Sequence, residues 1–155
     1  MKRGQRKSLP APGSPRYTHT FGAYNWRDGR VSYQTKDRKN SDSFIEFLEH
    51  IMLTEYPDVK VIMVMDYASY HHSKASMAAL SLFEERLHVV WLPKYCPFLN
   101  AIERFWRHLK NLAAANRLHR DMLDLIQAID DTIRHQNQPA HPDRLDFAHH
   151  FQLTA

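Results

Sequence analysis

The spacing of apolar residues changes along the chain and divides it into elements. Two β-rich runs, "YTHTFGAYNW" and "RVSYQT", lie on either side of Asp28-Gly29, and this pattern predicts a β-hairpin. From Ser41 the apolar residues recur at helical spacing, and this helix is expected to end before Pro57. The helical positions are Phe44, Phe47, Leu48, Ile51 and Met52.

Two continuous apolar runs follow, "KVIMVMD" ending at Asp66 and "LHVVWL", with a helix expected between them over residues 73–86. Such runs are typical of strands that are buried on both faces of a parallel sheet. Two amphipathic helices come next. The order hairpin, α, β, α, β, α, α predicts an α/β fold of three layers around a sheet of mixed direction. The apolar positions of the last two helices are Ile102, Phe105, Trp106, Leu109 and Leu112, then Met122, Leu125, Ile126, Ile129 and Ile133.

The composition is that of a globular protein. Of the 155 residues, 43% are hydrophobic and 12% aromatic, which suits one domain with a sizeable core. A single cysteine, Cys96, excludes an internal disulfide framework and fits a reducing cytosol, and no apolar run is long enough to span a membrane. We therefore expect a cytoplasmic protein. Cys96 lacks an evident base partner and is interpreted as a loop residue, while Trp26, Trp91 and Trp106 are predicted to be core residues rather than stacking platforms.

Basic residues are concentrated in two stretches. Residues 1–16 form a Pro- and Gly-rich segment with five basic side chains and no acid, whereas the remaining 139 residues carry 16 basic and 17 acidic side chains. The second basic stretch is 104–120. Both suit a phosphate-bearing partner, although a solvated tail and a solvated helix face are the alternative. The segment 1–16 is expected to precede a domain at 17–136 and a C-terminal tail at 137–155.

Two carboxylates are notable for their positions. Asp66 lies where a strand ends, and open α/β sheets place their sites outside the carboxyl ends of parallel strands. Alternatively, it is a turn residue that bonds the backbone after it. Glu103 follows Asn100 by three residues, as in a capping box, and can pair with Arg107 one turn on. Each carboxylate taken singly therefore has a structural explanation.

The pair indicates more than either residue alone. A right-handed crossover places the next strand beside Asp66, and the helix that opens at Asn100 then brings Glu103 toward it. Two hard oxygen ligands there suit Mg²⁺ or Mn²⁺, and two such ions activate an attacking oxygen and stabilise a leaving one at a phosphodiester. His71 and His72 have no further His or Cys at zinc-ligand spacing, so we interpret them as loop histidines near a phosphate or the start of a helix.

Two stretches carry a family resemblance. "DYASYH" (66–71) is similar to the pattern Asp-Asn-Ala-x-x-His, and "LPKYCPFLNAIE" (92–103) to Leu-Pro-Pro-Tyr-Ser-Pro-x-Leu-Asn-Pro-Ile-Glu. These patterns belong to the DDE transposases of the mariner-like bacterial insertion-sequence group, which have a ribonuclease H-like fold. The resemblance implies that Asp66 is the second metal-binding Asp and Glu103 the final Glu. It also implies a basic helix, with Arg104, Arg107 and Lys110, that faces DNA phosphates.

The chain departs from the family pattern at several positions. Tyr67 stands where the family has Asn, while Lys94, Cys96 and Ala101 replace Pro, Ser and Pro. The family's first catalytic Asp lies on a strand upstream of a "W-x-x-x-G-Q-R" motif, and this chain opens at about that point with "MKRGQR". A preceding DNA-binding helical domain is also expected in the family. The chain is thus expected to be the C-terminal part of a transposase, with its sheet truncated at the first strand.

The expected function is metal-dependent DNA cleavage and strand transfer during transposition, incomplete in this chain. On this view the chain alone is marginally folded and inactive, and an upstream transposase fragment completes it in trans. The exposed sheet edges would also permit a homo-oligomer. The alternatives are a catalytically inactive nucleic-acid-binding or regulatory remnant, and a protein-interaction module that uses the same edges.

Overall fold

A β-hairpin followed by alternating helices and strands forms the fold in the computed structural model, which describes residues 17–94, 99–115, 117–142 and 144–145. The predicted order of elements is confirmed. Cys96 and the basic segment 1–16 lie outside the described residues. The elements are β1 (His19–Tyr24), β2 (Val31–Lys36), α1 (Ser41–Glu49), β3 (Val61–Met65), α2 (Lys74–Ser81), β4 (Leu87–Trp91), α3 (Ala101–Leu109) and α4 (Met122–Gln136), with π-helical turns at His50–Glu55 and Lys110–Ala114.

The hairpin turns where the sequence predicts. Gly29 has φ +70°, a conformation that glycine adopts without strain, and Asp28 Oδ1 accepts the backbone N–H of Arg30 at 3.0 Å. β1 and β2 pair antiparallel from Tyr24 opposite Val31 to the other end of the hairpin. Alternate residues therefore point to opposite faces, and both faces of the hairpin are covered by helices.

The helix after the hairpin forms as its apolar spacing predicts. Asn40 caps α1 by accepting the backbone N–H of Ser43 at 3.0 Å, and the buried face continues into the π-helical turn that ends at Glu55. Arg86 then fixes the end of this helical segment, because its guanidinium donates to the backbone carbonyls of Met52 and Tyr56 at 3.0 and 3.1 Å and to that of Pro57.

β3 and β4 pair in parallel, with Met65 opposite Trp91. One face of the pair packs on α1 and α2. The other face is open, because Ile62 is 71% exposed and Val64 is 46% exposed. The expectation that these strands are buried on both faces is therefore wrong: in the described part of the chain, helices cover only one side.

The strands form two separate two-stranded sheets, β1–β2 and β3–β4, among the described residues. The three predicted layers are present at the hairpin, with α1 on one face and α3 and α4 on the other. Two clusters of buried side chains result. The first contains Phe21, Phe44, Phe47, Leu48, Ile51, Met52, Met65, Ala79, Leu80 and Leu87; the second contains Val31, Ile102, Phe105, Leu109, Ala113, Ile129 and Ile133.

The chain beyond α4 turns back onto the domain. Gln136 is buried, and its side-chain amide accepts the backbone N–H of Leu145 at 2.8 Å and donates to its carbonyl at 2.7 Å. The Tyr24 hydroxyl donates to the same carbonyl at 3.2 Å. The part of segment 137–155 that the structure describes therefore packs against α4 and the hairpin.

Candidate active site

Asp66 is the first residue after β3, at the carboxyl end of the parallel pair. Its Oδ1 accepts the backbone N–H of Ala68 at 3.2 Å, which is the turn role considered as an alternative. The same oxygen lies 2.9 Å from Nδ1 of His71. The side chain is 47% exposed, and Oδ2 has no hydrogen bond or ion pair among the described residues. One carboxylate oxygen is thus held by the loop and the other is open to a ligand.

His71 holds Asp66 in place. Its Nδ1 lies 2.9 Å from Oδ1 and 3.2 Å from the backbone carbonyl oxygen of Asp66, so this nitrogen carries the proton and donates it. The ring contacts Phe44 and Tyr70, at centroid distances of 4.6 and 4.3 Å. Burial lowers the pKa of His71 against the opposing effect of Asp66, so the neutral form is favoured at neutral pH. His71 stands three residues before α2, near the start of a helix as expected.

Glu103 is exposed in the first turn of α3. Asn100 precedes the helix but makes no side-chain cap hydrogen bond; its backbone carbonyl accepts the Glu103 N–H at 3.1 Å instead. No hydrogen bond or ion pair of the Glu103 carboxylate exists in the described part of the chain. The capping-box interpretation and the pairing with Arg107 are therefore wrong, and the carboxylate has no structural partner there.

Tyr70, in the loop between Asp66 and α2, is affected by the charges of both carboxylates. Burial, followed by the negative charges of Asp66 and Glu103, raises the pKa of Tyr70 to about 12. Because charge interactions weaken with distance, both carboxylates lie within electrostatic range of one hydroxyl. These two carboxylates are 37 positions apart in the chain, with 36 residues between them.

Tyr70 could not be recognised from the sequence, because it occupies an unspecified position of the Asp66 motif. The structure buries most of its ring against Phe21 and Phe44, at centroid distances of 5.9 and 6.4 Å. Its backbone carbonyl accepts the hydroxyl of Ser76, which is fully buried, at 2.5 Å. These contacts fix the loop between Asp66 and α2.

Three basic residues follow Glu103 along α3 and into the first residue of the π-helical turn after it. Arg107 and Lys110 follow it at i+4 and i+7 and therefore share its face of the helix. Arg104 lies beside them, and it lines a shallow cleft together with Arg107. All three basic side chains are exposed, because α3 directs its apolar side to the second core cluster.

The three tryptophans occupy different environments. Trp106 packs against the second core cluster, as predicted. Trp26 is 62% exposed near the hairpin turn, so its prediction as a core residue is wrong. Trp91 is partly buried and packs against the first core cluster, as predicted, and its ring also contacts His72 at 4.0 Å and Tyr67 at 5.4 Å between centroids. The sequence pattern did not indicate these contacts between the Trp91 ring and the rings of His72 and Tyr67.

Asp66 and Glu103 offer the kind of ligands that Mg²⁺ and Mn²⁺ take, since both are hard carboxylate oxygens open to solvent. They are two ligands where a closed site needs more. Among the residues that the structure describes, no three His, Cys, Asp or Glu side chains are grouped so that they could hold a metal ion. The two carboxylates are therefore of the kind that Mg²⁺ and Mn²⁺ bind, but they are fewer than a complete site needs.

The family model described as DDE superfamily endonuclease matches residues 1–126. The chain belongs to this family. It is also 26% identical, over 127 residues, to a Shigella sonnei protein named "Insertion element IS630 uncharacterized 39 kDa protein". The match covers 82% of this chain and 37% of that relative, so the chain spans well under half of the relative's length. The resemblance to insertion-sequence DDE transposases is confirmed.

Two solved structures share the fold. One is the Mos1 transposase paired-end complex with left transposon end, with a TM-score of 0.61 and 17% identity, covering 84% of this chain and 43% of that one. The other is a simian T-cell lymphotropic virus intasome in complex with PP2A regulatory subunit B56 gamma, with a TM-score of 0.55 and 19% identity, covering 71% and 40%. The ribonuclease H-like fold is thereby confirmed.

Across the described ranges, none of the helices combines the length and the apolar character that crossing a membrane requires.

Proposed function

We propose that this chain supplies two of the metal-binding carboxylates, Asp66 and Glu103, of a transposase that cleaves DNA and transfers its strands. The observation that supports the proposal is that Asp66 follows β3 at the carboxyl end of the parallel pair and Glu103 lies in the first turn of α3, while burial and then the charges of both carboxylates raise the pKa of Tyr70. Among the described residues, Glu103 forms no ion pair, and Asp66 forms one only with His71, through one of its two oxygens.

The remaining residues have distinct tasks in this proposal. His71 keeps one oxygen of Asp66 in a fixed position and leaves the other oxygen available to a metal ion. Arg107 and Lys110 bind the phosphates of the DNA strand and align it along α3 toward Glu103. Bound Mg²⁺ or Mn²⁺ supplies Lewis-acid activation at the phosphodiester.

The complete site would need a further carboxylate from a segment outside the described residues. β1 pairs only with β2, and β3 only with β4, so each sheet keeps an unpaired edge in the described part of the chain. A strand from an upstream transposase segment, in the same polypeptide or in trans, would pair with such an edge and carry the missing ligand. The second candidate is a DNA-binding remnant without catalysis, which is supported by the exposed basic residues Arg104, Arg107 and Lys110 beside a partial set of carboxylates in the described part of the chain.

A Mn²⁺-dependent nicking assay on supercoiled DNA tests the proposal, with and without an added upstream fragment of a related transposase. Asp66→Ala and Glu103→Ala should each reduce nicking by about 100-fold or more, because a metal ion contributes several kcal/mol to transition-state stabilisation. Glu84→Ala is the matched control: it removes an exposed carboxylate in the turn before β4, at the opposite end of that strand.

Three outcomes separate the candidates. Nicking that only the two site variants abolish supports the enzyme, and nicking that needs the added fragment supports a chain completed in trans. Salt-sensitive DNA binding without nicking in either mixture supports the remnant. Nicking that survives in Asp66→Ala or Glu103→Ala would contradict the assignment of these carboxylates.

A further inference from the structure

Three aromatic rings stand in contact beside Asp66. The Tyr67 ring lies nearly parallel to the His72 ring, with 4.3 Å between centroids and 12° between planes. The His72 ring in turn contacts Trp91, at 4.0 Å and 31°. Tyr67 directly follows Asp66, and Trp91 is the last residue of β4, so this aromatic stack (Tyr67, His72 and Trp91) lies at the same end of the parallel strands as Asp66.

The outermost ring of the stack is open to solvent. Tyr67 is 45% exposed even though His72 covers one of its faces, whereas His72 and Trp91 are partly buried. His72 makes no side-chain hydrogen bond among the described residues, and its Nε2 is buried there without a partner. Ring contacts, and not hydrogen bonds, therefore orient His72.

Core packing explains only the inner part of this arrangement. Trp91 needs a cover at the end of β4, and His72 provides it. Tyr67 adds a third ring, and close to half of its surface is exposed to solvent. Packing in the core therefore does not explain why an aromatic residue stands at this position. The position also departs from the family pattern, where the residue after the Asp is Asn and offers no aromatic surface.

A positive charge accompanies the exposed ring. The Lys94 ammonium lies 5.8 Å from the centroid of the Tyr67 ring, at the outer limit of a cation–π contact. Lysine has a long flexible side chain and binds phosphate as a point charge. An aromatic ring with a mobile cation over it matches one nucleotide: the base stacks on the ring, and the ammonium moves to the phosphate.

We propose that the aromatic stack is a platform on which an unpaired DNA base next to the cleaved phosphodiester stacks against Tyr67, with Lys94 on an adjacent phosphate. The identity of the substrate rests on the proposed function. Stacking is tolerant of sequence because every base has a flat π-face, so the platform would hold a strand opened at the site without reading its sequence.

The test measures the contribution of the bases to binding by the full chain. Fluorescence anisotropy in EDTA gives the affinity for a 12-nucleotide thymidine strand and for a 12-nucleotide strand with abasic sites throughout, which has the same number of phosphates. The chain should bind the thymidine strand about 5- to 150-fold more tightly, the range that stacking of one base gives. Tyr67→Leu should remove this ratio, and Tyr67→Phe, which keeps the ring, should retain it.

Two internal controls keep the result interpretable. Arg107→Gln should weaken binding of both strands equally, because it removes only a phosphate contact. Undiminished binding of the abasic strand by Tyr67→Leu shows that this variant is folded; if that binding is lost, Tyr67→Asn, which carries the residue of the family pattern, takes its place.

Equal affinity of the unmodified chain for the two strands would overturn the platform, and so would a failure to bind the thymidine strand at all. A base preference that persists without the Tyr67 ring would also overturn it. These measurements contain no metal and no cleavage step. Absence of nicking would therefore refute the catalytic proposal alone, and absence of a preference for the thymidine strand would refute the platform alone.

Discussion

Gly22→Ala should force the hairpin and α3 apart. A Cβ at position 22 would lie 2.6 Å from Cη2 and 2.9 Å from Cζ2 of Trp106, and 3.4 Å from Cδ1 of Ile102. The two closest atoms belong to a rigid indole whose ring also packs on Phe105, at 5.5 Å between centroids. The added methyl group can therefore be accommodated only if the whole indole or the strand moves.

The expected size follows from two opposing effects. Overpacking a well-filled site costs about 1 to 3 kcal/mol. Replacing glycine by alanine also restricts the unfolded chain, which recovers about 0.4 to 1 kcal/mol. The net loss of stability for Gly22→Ala is about 1 to 2 kcal/mol, which corresponds to a fall in melting temperature of about 2 to 8 °C for a chain of this size.

Urea unfolding of a double-mutant cycle measures this clash directly. Trp106→Phe removes both clashing indole atoms, so Gly22→Ala should cost about 1 kcal/mol less in the Trp106→Phe background than in the unmodified chain. Strict additivity of the two substitutions, or a Gly22→Ala variant at least as stable as the original, would show that the contact with Trp106 is not what requires glycine.

Two further predictions concern stability. Arg86→Met should lower the free energy of unfolding by about 2 to 3 kcal/mol, because three backbone carbonyls lose a charged donor, and Arg86→Lys should recover part of it in the same urea titration. Because burial lowers the pKa of His71, the unfolded state binds more protons as pH falls below about 6.5, so stability should decline with acidification. Melts between pH 7 and 5 should show this decline reduced in His71→Gln, by at most about 1.4 kcal/mol per pH unit; an unchanged pH profile would refute the role of His71.

The elements were predictable where the signal is local. Asp28-Gly29 fixes the hairpin turn, because a positive φ is needed where glycine stands. The helical spacing from Phe44 to Met52 likewise reports the buried face of α1 and the turn after it. Asp66 at the end of an apolar run could be recognised for the same reason, since the position depends only on where a strand stops.

The properties that depend on partners distant in sequence were not predictable. An apolar run shows that a strand is buried on one face, but whether a helix also covers Ile62 and Val64 depends on where later elements pack. The exposed Tyr67 ring lies five positions from His72 and 24 from Trp91, and only the paired strands and the loop bring these rings together. Asn100 stands at the right place for a cap, yet its side chain makes no cap hydrogen bond.

The hairpin contributes residues to both core clusters, and each cluster contains the residue that precedes one of the two carboxylates. Phe21 points into the cluster that holds Met65, the residue before Asp66, whereas Val31 points into the cluster that holds Ile102, the residue before Glu103. The two faces of one two-stranded ribbon therefore set the separation of the two carboxylates. Any change in the twist of this ribbon would alter that separation without changing either carboxylate, so the hairpin would act as the spacer of the proposed site.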